Sequence, residues 1–109
     1  MVEYKSSAGL DSIFGSLAGP TRRDILRRVS RHELSVSEIA RSYDMTLAAI
    51  SKHLMVLENA RLIRKHRKGK QQFIALSLPA FKEASHFLRH YQKLWEERLD
   101  RLEELLKEG

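Results

Sequence analysis

The chain has 109 residues, of which 42% are hydrophobic and 31% charged, and it contains no cysteine. That is the length and balance of one soluble globular domain, with no run of eighteen apolar residues to span a bilayer and no disulfide, thiolate metal site or thiol redox centre. The net charge of +6 is unevenly placed: Pro20 to Lys70 holds thirteen Lys and Arg against five Asp and Glu, and the rest is slightly acidic, which directs the middle of the chain towards an anionic polymer and away from a membrane.

Residues 1–9 are small and polar and read as a loose arm. They lack the apolar stretch of a secretion signal, so the expected location is cytoplasmic. Leu10, Ile13, Phe14 and Leu17 recur at helical spacing and predict a short first helix over 10–17. Asp11 suits its first turn, where the helix dipole favours an anion.

Gly19-Pro20 breaks the chain, and Pro20 is well placed to open a second helix. Ile25, Leu26 and Val29 form its apolar stripe. Arg22, Arg23, Arg27, Arg28 and Arg31 surround that stripe as a solvated basic face or as phosphate contacts. In the next segment, Leu34 to Ala40, either Ser35 or Ser37 can cap a helix. Ser35 with Glu38 also matches the S-x-x-E capping box. Val36, Ile39, Ala40 and Tyr43 would pack.

Thr46 is the expected N-cap of a longer helix running to Arg61. Ile50, Leu54 and Leu57 supply one apolar face. The first turn and a half offers Leu47, Ala48, Ala49, Ser51, Lys52 and His53, and no carboxylate appears until Glu58. A helix that is small and cationic at its N-terminal end suits the DNA major groove, where bulk blocks entry and an acid repels phosphate. A short helix, a tight turn at Tyr43-Asp44-Met45 and this longer second helix make a helix-turn-helix over 35–61.

The period then changes to strands. Residues 62–77 read as a hairpin turning at Lys68-Gly69-Lys70. Arg64, Lys65, Arg67, Lys68 and Lys70 make its tip cationic, with no acid among them. Such a wing suits the phosphate backbone or a minor groove. Pro79 opens a last helix to about Lys107. Leu88, Tyr91, Trp95, Leu99, Leu102 and Leu106 continue a stripe that begins at Phe81 and Ala84. At 1.5 Å per residue this helix runs roughly 40 Å, longer than a domain of this size is wide. Its surplus apolar surface predicts a homodimer, with Leu10, Ile13 and Phe14 of the first helix joining the interface.

The expected fold is therefore mostly α with a small β-hairpin: one winged helix-turn-helix domain with a long C-terminal dimerisation helix. The expected function is sequence-specific binding of double-stranded DNA at a pseudo-palindromic operator, with repression of its own or adjacent genes. Thr46, Leu47, Ala48, Ala49, Ser51, Lys52 and His53 should face the groove or its edge, with Ser51 and Lys52 foremost. His53 reads either as a base contact or as a hydrogen bond to phosphate or nearby backbone. No Ser/His/Asp set, paired-carboxylate cleft or phosphate loop stands out, so neither an enzyme nor a cofactor is expected. An alternative is a protein-interaction module that no longer binds DNA, which the central charge excess opposes.

R-R-D-I-L at Arg22 to Leu26, S-V-S-E-I-A at Ser35 to Ala40, I-S-K-H-L-M-V-L-E at Ile50 to Glu58 and L-I-R-K-H-R-K-G-K at Leu62 to Lys70 resemble the ArsR family of bacterial winged-helix repressors. The S-[RK]-H-L core is the most specific of these. Family members that sense arsenic or cadmium carry two cysteines where this chain has Ser35 and Ser37, and hydroxyls do not replace soft thiolates. The zinc-sensing pattern on the terminal helix, aligned on His86, meets Ala84, Glu97 and Asp100 here, so it is incomplete. His86, His90 and Glu97 are the residues that a zinc-responsive alternative would use, His86 and His90 being one helical turn apart; the expectation is no metal. Two further departures matter. The family usually places glycine after the recognition helix, where this chain has Arg61. A left-handed Arg61 would cost about 1 kcal/mol, which favours a different helix end. Ala48 and Ala49 replace residues that are often polar, so specificity shifts towards thymine-methyl contacts and DNA shape.

Overall fold

The computed structural model describes residues 8–108. Among them are five helices and three strands: α1 (Ala8–Ser16), α2 (Pro20–Val29), β1 (Leu34–Ser35), α3 (Val36–Ser42), α4 (Leu47–Asn59), β2 (Ile63–Lys68), β3 (Gln71–Leu76) and α5 (Leu78–Glu108). The first seven residues of the expected arm lie outside the described residues. Ala8 and Gly9, assigned to that arm, instead form the first turn of α1. No described helix is long and apolar enough to cross a membrane.

The local signals account for the helix starts. Ser35 caps α3 through a complete capping box: its Oγ accepts from Glu38 N at 3.1 Å, and its own N–H donates to Glu38 Oε1 at 3.0 Å. That backbone donor holds the Glu38 carboxyl below its ordinary range. Thr46 caps α4 by accepting from Ala49 N at 3.1 Å. Pro20 sits in the first turn of α2.

The core forms where these stripes converge. Ile13, Ile25, Ile39, Ile50, Leu57, Leu62 and Ile74 have no exposed surface, and Leu54 is 1% exposed. Val36, Ala40 and Tyr43 pack around it half-buried. Ile13, expected at the dimer interface, is wholly inside the protomer; it packs within the core and has nothing left to offer a partner. Leu10 and Phe14 pack partly against the same core, and the Phe14 ring meets Phe87 of α5 at 5.8 Å.

The end of α4 departs from expectation. Arg61 does take the left-handed conformation, at φ 61°. Arg61 N–H donates to Glu58 O at 2.9 Å, and Leu62 N–H donates to Leu57 O at 3.1 Å. That is the paired closure of a Schellman motif. Its apolar contact is present as well, since Leu57 and Leu62 are both fully buried. Burying those two leucines outweighs the roughly 1 kcal/mol cost of an L-residue there.

The sheet is antiparallel in the order β1-β3-β2. Strand β1 was not expected from the sequence. It is two residues long and pairs Leu34 with Ile74 and Ser35 with Phe73, so it ties the start of the helix-turn-helix to the wing. The hairpin pairs Ile63 with Leu76 through Lys68 with Gln71, and Gly69 takes the turn at φ 62°.

Helix α5 leaves the globule. Only Ala80 and Ala84 of it are buried, and every residue from Leu88 to Glu108 is exposed. Its 31 residues span about 46 Å. The radius of gyration is accordingly 18.7 Å, against about 13 Å for a compact chain of this length.

Candidate nucleic-acid interface

Helix α4 is mounted by one face. With Ile50, Leu54 and Leu57 buried, helical geometry turns Ala48, Lys52 and Met55 directly outward and puts Leu47 and Ser51 on one flank. All five are exposed, Leu47 by 59% and Met55 by 56%. Among them only Lys52 is charged. Thr46 is exposed at the helix start, and Ala49 and His53 are half-buried on the opposite flank. The seven residues expected to face a groove thus span one outward face and its two edges.

The mount is held by polar contacts that spacing alone did not reveal. Asp24 on α2 accepts from Tyr43 Oη at 2.6 Å, Arg27 Nη2 at 2.6 Å and Arg28 Nε at 3.0 Å. The Tyr43 hydroxyl and then the two guanidiniums hold the Asp24 carboxyl well below the usual carboxylate range. Burial and then the bond to Asp24 push the Tyr43 phenol up to about 12. Arg28 also lies over the Tyr43 ring at 5.2 Å. The cluster clamps the turn of the helix-turn-helix onto α2 and engages Arg27 and Arg28 with one shared carboxylate.

Arg22 and Arg23 likewise serve architecture. Arg22 Nε donates to Ser16 O at 2.7 Å, and Arg23 Nη1 donates to Leu17 O at 2.8 Å. Both close the C-terminal end of α1, where carbonyls lack helical partners. Four of the five arginines around α2 are therefore engaged within the chain. Arg22 also reaches His53: its Nη1 lies 3.3 Å from His53 Nδ1.

The wing divides its cations. Strand alternation puts Lys65 on the side of Ile63, where its Nζ lies 3.5 Å from Glu58 of α4. Lys68 donates to Glu33 Oε2 at 3.2 Å, and His66 Nε2 lies 2.9 Å from the same oxygen. Lys68 also sits over the Phe73 ring at 5.1 Å. The Lys68 ammonium keeps the Glu33 carboxyl below its ordinary range. Arg64, Arg67 and Lys70 are exposed and have no side-chain partner among the described residues. Of the five expected backbone-gripping cations, these three are the uncommitted ones, and Lys65 and Lys68 are paired with carboxylates of the chain.

His86, His90 and Glu97 are exposed on α5. No three His, Cys, Asp or Glu side chains converge as a ligand group among the described residues. His86 and Glu97 lie about 16 Å apart along one helix, so one chain does not bring them to a common ion.

Asp24 with Arg27 and Arg28 stands at i,i+3 and i,i+4 spacing and was legible in principle. Glu33 with Lys68, Glu58 with Lys65 and Arg22 with His53 carry no local signal.

The bacterial regulatory protein profile of the arsR family matches residues 19–65. The chain is similar to the transcriptional repressor SdpR of Bacillus subtilis (strain 168), at 36% identity over 69 residues that cover 63% of this chain and 74% of that one. It is also similar to the crystal structure of an ArsR family transcriptional regulator, with a TM-score of 0.75 and 40% identity over 81% of this chain and 91% of the other. An ArsR-like transcriptional regulator from Rhodococcus sp. RHA1 superimposes with a TM-score of 0.78 at 25% identity, covering 93% and 95% of the two chains. The matched segment holds the capping box, the helix-turn-helix and the start of the first wing strand, so sequence and architecture lead to one conclusion: the chain belongs to the ArsR family of bacterial winged helix-turn-helix transcriptional regulators.

Proposed function

We propose that the chain is a homodimeric repressor that occupies a pseudo-palindromic operator beside its own or an adjacent gene, and that it works in the cytoplasm without catalysis. One observation carries this: an acid-free face on α4, with Lys52 among exposed apolar and small side chains, stands next to uncommitted wing cations, while α5 offers an exposed apolar stripe. Two protomers paired through α5 place two such faces about one helical turn of DNA, roughly 34 Å, apart. Leu10 and Phe14 of α1 together with residues 79–107 serve dimerisation, 35–61 reads the groove and 62–77 grips the backbone. The repressor name of the Bacillus subtilis relative supports the sign of the regulation.

Within each half-site, Ser51 and Lys52 are the polar contacts. Leu47, Ala48 and Met55 favour thymine methyl groups, because an apolar side chain distinguishes bases there only by that methyl. The test is fluorescence anisotropy with DNA from upstream of the gene and a scrambled duplex, across salt. The expected result is a preference of about 10³-fold or more for the upstream DNA. Equal, steeply salt-dependent binding to both would place the target elsewhere. Absence of binding to either would overturn the proposal in favour of a protein-interaction module.

A further inference from the structure

The Arg22–His53 contact determines which nitrogen of the His53 ring carries a proton. A guanidinium has five N–H donors, no acceptor, and keeps its charge at all relevant pH. His53 Nδ1, 3.3 Å from Arg22 Nη1, is therefore the acceptor and has no hydrogen of its own. In the neutral imidazole the single N–H then resides on Nε2. Nε2 has no partner among the described residues, and it is not sealed from solvent.

Arg22 is itself held in place. Its Nε donates to Ser16 O at 2.7 Å, and Ser16 is 1% exposed. The guanidinium also occupies the space beside Gly19. A Cβ on Gly19 would lie 2.8 Å from Arg22 Cζ, although the backbone there is extended, at φ −88°, and open to any residue. The missing side chain at position 19 thus leaves room for the arginine, whose far end then reaches α4, 31 residues on.

We propose that Arg22 is a positioning residue that locks His53 in the Nε2–H tautomer, so that His53 presents a neutral N–H donor to a phosphate oxygen at the edge of the DNA groove. The inference rests on the DNA-binding function proposed above. His53 lies on the half-buried flank of α4, between buried Leu54 and exposed Lys52. In the proposed mode of binding, that flank lies at the phosphate rim and the outward face at the bases. A neutral donor there fixes register through directional geometry without adding a cation.

Two measurements test this on the full-length protein. Long-range ¹H–¹⁵N correlations of the His53 ring, in free protein at mildly alkaline pH, read the tautomer directly. Wild type is expected to show Nε2–H alone, and Arg22→Ala a mixture of the two tautomers. Where Arg22→Ala fails to fold, Gly19→Ala displaces the same guanidinium at a backbone position that tolerates alanine. A wild-type ring protonated on Nδ1, or a ring unaffected in the variants, overturns the proposal whether or not the protein binds DNA.

The second measurement compares His53→Asn with His53→Gln on a duplex recovered from random DNA by repeated rounds of binding to the wild-type protein. Asn imitates Nδ1 and Gln places its amide near Nε2, so His53→Gln should bind several-fold more tightly than His53→Asn. The loss for His53→Asn should be about tenfold, with the slope of log K against log salt unchanged. Equal affinity for the two variants would overturn the assigned atom. A slope that falls by about 0.9 in His53→Asn would show a cationic contact and overturn the neutral donor. Should no duplex be recovered, the DNA-binding function itself fails, and the ring spectrum still decides whether Arg22 sets the tautomer.

Discussion

Trp95→Ala should convert the dimer into a monomer at micromolar concentrations. Trp95 is 60% exposed in the protomer, on the stripe it shares with Leu88, Tyr91, Leu99, Leu102 and Leu106. A fully buried aromatic removes about 150–250 Å² from water, so roughly 90–150 Å² of this ring remains for a partner to cover. At about 25 cal/mol per Å² that coverage contributes about 2–4 kcal/mol per ring. A two-fold interface repeats the contact, so one substitution removes it twice, about 4–8 kcal/mol at full coverage. Even half that coverage, about 2–4 kcal/mol, raises the dimer dissociation constant by about 30-fold to 10³-fold. Sedimentation equilibrium over a concentration series measures this, with Lys93→Ala on the same helix as a variant expected to leave it unchanged. Far-ultraviolet circular dichroism should show lost helix as well, because every described residue of α5 beyond Phe87 is exposed in the protomer. A dimer constant within threefold of wild type would refute the assignment of this stripe to the partner. A fully monomeric variant that binds the operator with wild-type affinity would refute the two-headed mode of DNA recognition.

Other outcomes follow from single contacts. Lys52→Ala should weaken operator binding about tenfold and lower the salt slope by about 0.9 if it meets a phosphate, whereas Lys107→Ala should do neither; equal effects in the anisotropy titration would misplace the face. Arg61→Gly should raise the thermal midpoint by a few degrees. It relieves about 1 kcal/mol of left-handed backbone cost and gives up only an exposed ion pair to Glu83, 3.3 Å long, worth at most a few tenths of a kcal/mol. A lowered midpoint would mean that the pair, or the freedom of glycine in the unfolded chain, outweighs the strain. Asp24→Asn should destabilise by about 1 kcal/mol at neutral pH, the discounted worth of charge-assisted bonds at a partly exposed site. Because folding depresses the Asp24 pKa, its contribution is complete above the ordinary carboxylate value near 4 and is lost as pH falls below it. Urea titrations of wild type and variant should therefore converge towards acid; a gap that widened on acidification would contradict the clamp.

Much of the architecture was legible because it depends on short-range chemistry. The Ser35 capping box, the Thr46 cap and the Ile50, Leu54 and Leu57 face each involve residues within a few positions of one another, and their geometry follows from the helix itself. The excess length of α5 was equally plain, since helix rise per residue is constant. The character of the α4 face needed only the order of residues along one helix.

What the chain order left open was the partner of each side. Periodicity says that a face is buried, not what it meets. Ile13 shares its stripe with Leu10 and Phe14, yet it closes the protomer core because α1 packs on α4 and α5. The two-residue β1 has too little sequence to show a period and exists because β3 passes beside it. Arg61 violates a local preference, and the Schellman closure with its buried leucines sustains it. The wing cations are alike in composition, and only the register against α4 and Glu33 separates Lys65 and Lys68 from Arg64, Arg67 and Lys70. The sequence by itself therefore determined the helices, the wing and the identity of the basic surface, all set by local geometry. Tertiary structure alone decided which charges are paired within the chain and which nitrogen of His53 faces Arg22, because those depend on residues that meet only when distant segments pack.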